Sequence, residues 1–413
     1  MLTLIIPLLN SIPGLSGYIF PNEYELQWSI LIVIYPYLTG LVAGAFILAS
    51  LERVFKVEAL KPIYRLSLLT ALAFMFIAPL PLLAHLGHPE RSFEMFLTPH
   101  SSSAMAMFGF VYAWYLMVVL LLEIWFDYRK DIVIWSNEKT GFMKYLYKLL
   151  TLGATDISEK AVAFDNKIGK IITIIGIPSA FLLHGYVGFI FGSIKANPWW
   201  SSVLMPIVFL FSAIVSGIAL MLIVFMITSM IRWKSISMKC LNKLAELLFY
   251  TMLVDFTLEL LDFIHRLYES EESITILSQM ISNRLFISLI ITQIIIGSLI
   301  PMLGLIFGRF GKLPDELRRM IYFISAILVQ VGIFSTRWNV VIGGQLFSKS
   351  FRGLTTYKLD IFGLEGLLVS VVLLVAPIGI LWVLTKVLPP WDTDAEVAKQ
   401  VKDMSADATT ESI

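Results

Sequence analysis

Nine apolar stretches, each close to the roughly 20 residues that a helix needs to cross a hydrocarbon core, dominate this chain of 413 residues. They lie at about 28–50, 66–86, 103–126, 168–193, 203–231, 244–267, 285–307, 319–345 and 361–388. Lipid offers a backbone no hydrogen bonds, so segments of this kind fold as spanning helices. The rest of the composition agrees, with 58% hydrophobic and 15% charged residues, where a soluble domain carries about 25% charged residues. There are too few charges to solvate a water-facing surface. The expected fold is an all-α integral membrane protein of about nine transmembrane helices. Two four-helix bundles, over 28–193 and 203–345, plus one extra helix at 361–388, would use them all. The pairing of Gly40 and Gly44 in the first span with Ser212, Ser216 and Gly217 in the fifth hints at such a duplication, both being small-residue faces that let helices approach closely.

The net charge of +1 excludes a nucleic-acid binder, which needs a large basic excess. Sorting the 31 Lys and Arg residues by side is more informative: 23 fall on one side of a nine-span topology and 8 on the other. By the positive-inside rule the N-terminus is outside and the C-terminus cytoplasmic. An amphipathic cytoplasmic linker is expected over about 127–167. Residues 1–27 read as an interfacial segment, because Pro7, Pro13, Gly14 and Gly17 interrupt the apolar start. Residues 389–413, rich in Asp and Glu, read as a disordered acidic tail. The single cysteine, Cys240, excludes disulfides and any Cys-ligated zinc or iron–sulfur centre.

Ionisable residues inside spans cost about 2.5–3.5 kcal/mol each on insertion scales. Each therefore needs a reason. In this topology the last turns of spans two, four, six and eight carry His85 and His88, His184 and Tyr186, Asp262 and His265, and Arg337 and Asn339, with His100 in the loop after span two. All fall near the outer face. Each also has a plainer reading: a histidine at a helix end is commonly a hydrogen-bonded interface residue, and Arg337 could snorkel or neutralise Asp262 as readily as bind a ligand. In span six, Asp255, Glu259 and Asp262 at i, i+4 and i+7 share one helix face. They read either as an interhelical contact or as a proton path with His265, extended by Glu123 near the inner end of span three and by Glu365 near the outer end of span nine. Without a nucleophile constellation, Walker motif or HExxH run, catalysis by this chain alone is not expected.

Four runs resemble a known family: Gly40-Leu-Val-Ala-Gly-Ala-Phe46; His85-Leu-Gly-His-Pro-Glu-Arg91 followed by Phe96-Leu-Thr-Pro99; His184-Gly-Tyr-Val-Gly through Asn197-Pro-Trp-Trp200; and Thr336-Arg-Trp-Asn-Val-Val-Ile-Gly-Gly-Gln345. They are similar to the NrfD/PsrC membrane subunits of polysulfide reductase and related respiratory complexes, in particular to the longer branch linked to hydrogenases, sulfite reductases and alternative complex III. The resemblance implies a quinone-reactive anchor in a prokaryotic plasma membrane, without intrinsic haem or iron–sulfur cluster. Its substrate would be menaquinone or another isoprenoid quinone. An outer-face ferredoxin-like iron–sulfur subunit, and often a molybdopterin catalytic subunit beyond it, would be the partners. By motif, His184 and Tyr186 become pocket residues, His85, His88 and Arg91 line the partner-facing loop, and Arg337 and Asn339 belong to the second bundle. Where the family often places Asn or His on the first span, this chain offers Tyr35, Tyr37 and Thr39. Two other readings stay open: a secondary transporter or channel using the span-six acids, and a haem b anchor using paired histidines.

Overall fold

The computed structural model describes residues 18–23, 26–100, 102, 104–269 and 273–391. The segment expected at the interface, up to residue 17, and the acidic tail from residue 392 lie outside the described residues. Helices account for nearly all the regular structure, and among the described residues the only β-type pairings are two isolated bridges, Tyr18 with Arg352 and Phe347 with Leu354. Among the described residues, eight helices are long and apolar enough to cross a membrane: α1 (Ile30–Arg53), α2 (Glu58–His85), α3 (Gly109–Glu138), α4 (Glu159–Gly192), α5 (Met205–Ile231), α7 (Ile274–Phe310), α8 (Asp315–Gln345) and α9 (Leu367–Val387). Between them lies α6 (Met238–Glu269), 32 residues long and carrying the three acids. The protein is a multi-pass, all-α membrane protein.

Helix α1 is the hub. Nearly all of it is buried, and it packs against α2, α4, α5 and α8. Its closest neighbour is α5, where a Cβ added to Gly44 would lie 2.2 Å from the Ala213 carbonyl oxygen, and one on Gly217 would lie 2.3 Å from Gly44. The small residues at both positions are thus what lets the two backbones meet. Helices α3 and α4 pair beside this centre, α6 and α7 pack on the α5 and α8 side, and α9 lies along α2.

The two ends of the molecule are held differently. At the end bearing Arg65, the helices run past the expected start of the linker at residue 127: α3 continues to Glu138, and α4 begins at Glu159. Ion pairs let them continue, because Arg53 and Arg65 share Asp127 at 3.1 and 2.7 Å, Arg65 also reaches Asp131 at 2.7 Å, and Arg129 reaches Asp165 at 2.7 Å. The connection itself forms a helix, Gly141–Leu150, pinned by Tyr147 donating to the Val387 carbonyl at 2.8 Å. At the opposite end, the α4–α5 connection closes over the tip of α8. Helix C-termini leave carbonyls without partners, and here Trp199 Nε1 donates to Asn339 O at 2.8 Å, Trp200 Nε1 to Val340 O at 2.6 Å and Asn197 Nδ2 to Gly344 O at 2.7 Å. Trp28 stacks on Trp200 with centroids 5.1 Å apart.

Candidate functional site

At this tryptophan-capped end, α1 to α4 surround a cavity of about 730 Å³. Proline creates the space. Helix α2 breaks after Ile77 and resumes at Leu80 beside Pro79 and Pro81, since proline lacks the N–H that a continuous helix requires. Pro79, Leu82, Leu83 and His85 then form one wall, Ile32 and Tyr35 of α1 a second, Tyr112 and Leu116 of α3 a third, and Val187 and Phe191 of α4 the last. Most of this lining is apolar. Apart from His88, Arg91 and Ser92 toward the rim, the polar lining residues are few: Tyr35 and Tyr112, whose rings lie 6.4 Å apart and whose hydroxyl oxygens are buried, and His85. Thr39 lies within hydrogen-bonding reach of Tyr112 and donates to the Tyr35 carbonyl at 2.9 Å. Tyr186 is half-buried and close enough to Tyr35 to interact with it.

His88 and Arg91 form the rim and are exposed. Arg91 pairs with Glu94 at 3.0 Å, and this hydrogen bond holds the Glu94 carboxyl below its ordinary range. His88 pairs with Glu90 at 3.0 Å, and His100 contacts Ser102 at 3.0 Å in the same exposed connection.

Two residues grouped with Tyr35 in the sequence go elsewhere. Residues 35 and 37 of a helix are about 200° apart, while 35 and 39 are about 40° apart. Tyr37 accordingly faces away, donating to Gln330 Oε1 at 2.7 Å beside a separate groove of about 620 Å³. His184 lies deeper. It is fully buried between α1, α5 and α8, stacked on Phe209 at 5.8 Å, and a Cβ on Gly40 would lie 3.2 Å from its ring. Its partner is Arg337, whose Nη2 donates to His184 Nε2 at 3.2 Å and to Ser212 Oγ at 2.5 Å. An arginine can only donate, so the imidazole proton sits on Nδ1.

Arg337 is thus an interior residue of the second bundle, and not a snorkelling side chain or the neutraliser of Asp262. Its guanidinium lies 4.2 Å above the Phe209 ring, and its Nε and Nη1 have no hydrogen-bond partner. Asp262 is neutralised by Arg266 instead, one turn along the same helix at 2.6 Å, and also accepts from Ser202.

The three acids of α6 do share a face, directed at α7 and α8. Gln293 Nε2 donates to Glu259 at 3.1 Å, and Asn339 Nδ2 donates to Gln293 Oε1 at 2.7 Å, so the two amides form a relay between helices. Glu259, Asp262, Arg266 and Asn339 border a cavity of about 170 Å³. Asp255 and Glu259 border a smaller one of about 10 Å³, the size of one water. Asn339 is buried here and is likewise an interior residue of the second bundle. His265 is exposed at the end of α6. Glu123 belongs to the other half of the molecule, buried and accepting from Thr173 at 2.7 Å and Tyr64 at 3.4 Å. It is not continuous with the α6 acids. Among the described residues no three side chains of metal-ligating type converge.

Sequence reasoning did not single out Tyr112, Gln293 or Phe209. The first two are polar residues inside apolar runs and could have been noticed by that criterion. Phe209 carries no such signal.

Fold and site together define a class: a helical membrane protein with a mostly apolar cavity at one end and a separate buried polar network. Comparison with known proteins narrows this. A family model described as "Polysulphide reductase, NrfD" matches residues 20–349, and the chain belongs to that family. It is 32% identical over 323 residues to a selenate reductase subunit of Mesobacillus selenatarsenatis, covering 76% of this chain and 73% of that one. It is also similar to "Protein NrfD" of Escherichia coli, 28% identical over 202 residues (48% of this chain, 59% of that one). To a putative dimethyl sulfoxide reductase membrane subunit of Halobacterium salinarum it is 26% identical over 205 residues (48% and 42%).

Proposed function

We propose that this chain is the quinone-reactive membrane subunit of a respiratory reductase complex, with the cavity between α1 and α4 as its quinone site. The cavity's construction carries this reading: about 730 Å³ of mostly apolar space with two tyrosines and a histidine in its wall. An isoprenoid quinone, of the menaquinone type or another, needs apolar room for ring and tail and hydrogen-bonding groups for its two oxygens. Tyr35, Tyr112 and His85 are the residues of its wall that carry such groups. The names of the relatives, subunits of selenate and dimethyl sulfoxide reductases, support assembly with partners. The partners would be an iron–sulfur subunit of ferredoxin type seated over His88 and Arg91, with a molybdopterin catalytic subunit beyond it. That surface faces outward if the 23-to-8 division of basic residues sets orientation, with the N-terminus outside and the C-terminus cytoplasmic.

In this role the protein's own residues orient the quinone head and handle its protons, while electrons pass to the partner's clusters. The α6 relay supports a second, finer reading, in which Asp255, Glu259 and the Gln293–Asn339 pair carry protons across the other half of the molecule. The first reading is tested in the intact complex. Tyr35→Phe with Tyr112→Phe is expected to lower quinol-dependent turnover by about tenfold or more, the scale of losing hydrogen bonds to a reacting group. Activity with artificial dyes, which reach the soluble subunits directly, is expected to persist. Unchanged quinol turnover in the double variant would overturn the assignment.

A further inference from the structure

The family match ends at residue 349, yet a residue of the cavity wall pairs with one beyond it. His85, at the end of α2, lines the cavity and places its Nδ1 2.8 Å from Glu365 Oε2, in the turn that leads into α9. The two residues are 280 positions apart and meet across two helices. That turn is well braced. Leu367 N donates to Asp360 O at 2.9 Å and Gly366 N to Gly363 O at 2.9 Å, while the Tyr357 hydroxyl, upstream of it, accepts from Ile30 N at 3.1 Å and ties the segment to the start of α1. His85 is only 21% exposed at its side chain, whereas Glu365 is 42% exposed and stands between the imidazole and the outside.

We infer that His85 and Glu365 form a proton-transfer dyad at the cavity mouth, with Glu365 as the positioning residue that α9 contributes to a site otherwise built by α1 to α4. The physical reason is the two-ended chemistry of imidazole. A carboxylate on Nδ1 fixes the proton there and leaves Nε2 as the acceptor for the cavity. In quinol oxidation a quinol O–H bond breaks and an Nε2–H bond forms. The electron pair leaves, one electron at a time, to the iron–sulfur acceptor of the partner. The imidazolium, stabilised by Glu365, then discharges its proton at the mouth, and the second hydroxyl uses the same route. Other charged groups near the mouth are His88, paired with Glu90, and Arg91, paired with Glu94, while Asp360 lies behind Glu365 near Tyr357. None of these bonds to His85.

This inference rests on the quinone reading above, and the experiment separates the two. In the intact complex, His85→Asn is expected to lower quinol kcat by about 100-fold and Glu365→Gln by about tenfold, with KM changed by less than about threefold in each, magnitudes typical of general acid–base groups and their orienting partners. The double variant should be no slower than His85→Asn alone, because the pair acts as a unit. Glu365→Gln should also enlarge the solvent deuterium isotope effect on kcat, and Glu365→Asp should restore most of the turnover. A purely structural role for Glu365 would move neither the isotope effect nor the additivity. If Glu365→Gln keeps wild-type kcat and isotope effect while Tyr35→Phe remains slow, the dyad is overturned and the quinone site stands. If Tyr35→Phe, His85→Asn and Glu365→Gln all keep wild-type quinol turnover, both fall.

Discussion

The two halves of this molecule solve opposite problems with the same kind of helix. Around α1 to α4 the interior is opened: a proline break in α2 leaves about 730 Å³ of largely apolar space, with its few polar groups at the wall. Between α5 and α8 the interior is closed over charge: Glu259, Asp262, Arg266 and Arg337 meet amides, hydroxyls and one another, while Asp255 Oδ1 is buried without a hydrogen-bond partner. A membrane protein that binds an apolar ligand needs the first arrangement, and one that moves or holds charge needs the second. The difference shows that the helices' shared length and hydropathy say little about what each half does; the breaks and the polar side chains decide it.

The most drastic way to break the comparison is at the seam. Gly44→Val puts a branched side chain where even a Cβ lies 2.2 Å from the Ala213 carbonyl oxygen, and backbone cannot yield as a flexible side chain would. Loss of folded, monodisperse protein in detergent is expected, read by size-exclusion chromatography. A normal profile would mean that α1 and α5 can separate without cost, and the halves would then be independent bundles.

A smaller effect is expected inside the closed half. Gln293→Leu strands the Glu259 carboxylate and the Asn339 amide at once, and an unmatched buried polar group costs about 1–3 kcal/mol. A lowered thermal midpoint with quinol KM unchanged is the expected pair of results. A KM that moved as much as the midpoint would show that the relay and the cavity are one system.

How much of this was legible in the sequence depends on the range of the interaction. The spans were legible because hydropathy is a local average, and so was the shared face of Asp255, Glu259 and Asp262, because seven residues of helix determine it. The partner of Asp262 is also local, four residues away in Arg266, but Arg337 sits in a more prominent motif and draws attention from it. The pairing of His184 with Arg337 joins residues 153 apart, and that of His85 with Glu365 joins residues 280 apart. No spacing rule reaches so far. Motif position places His184 near the outer face, but only packing against Gly40 and Phe209 puts it behind the cavity and not in its wall.

Tyr37 gives the finest test, because it differs from Tyr35 in little except direction. Both are tyrosines near the start of α1; Tyr35 is buried and Tyr37 half-buried. A 200° turn separates their side chains, so Tyr35 faces the cavity and Tyr37 donates to Gln330, whose own Nε2 donates to the Ser216 carbonyl at 2.7 Å. Tyr37→Phe therefore removes one donor from an amide oxygen and touches nothing in the wall of the α1–α4 cavity. The expected loss is about 0.5–1.5 kcal/mol of stability, the net worth of one such hydrogen bond, with quinol kcat/KM unchanged within about twofold. Tyr35→Phe, by contrast, should lower quinol turnover. If the two substitutions exchanged these signatures, the ligand would lie in the groove beside Tyr37, on the α8 side of α1, and the roles assigned to the two halves would have to be redrawn.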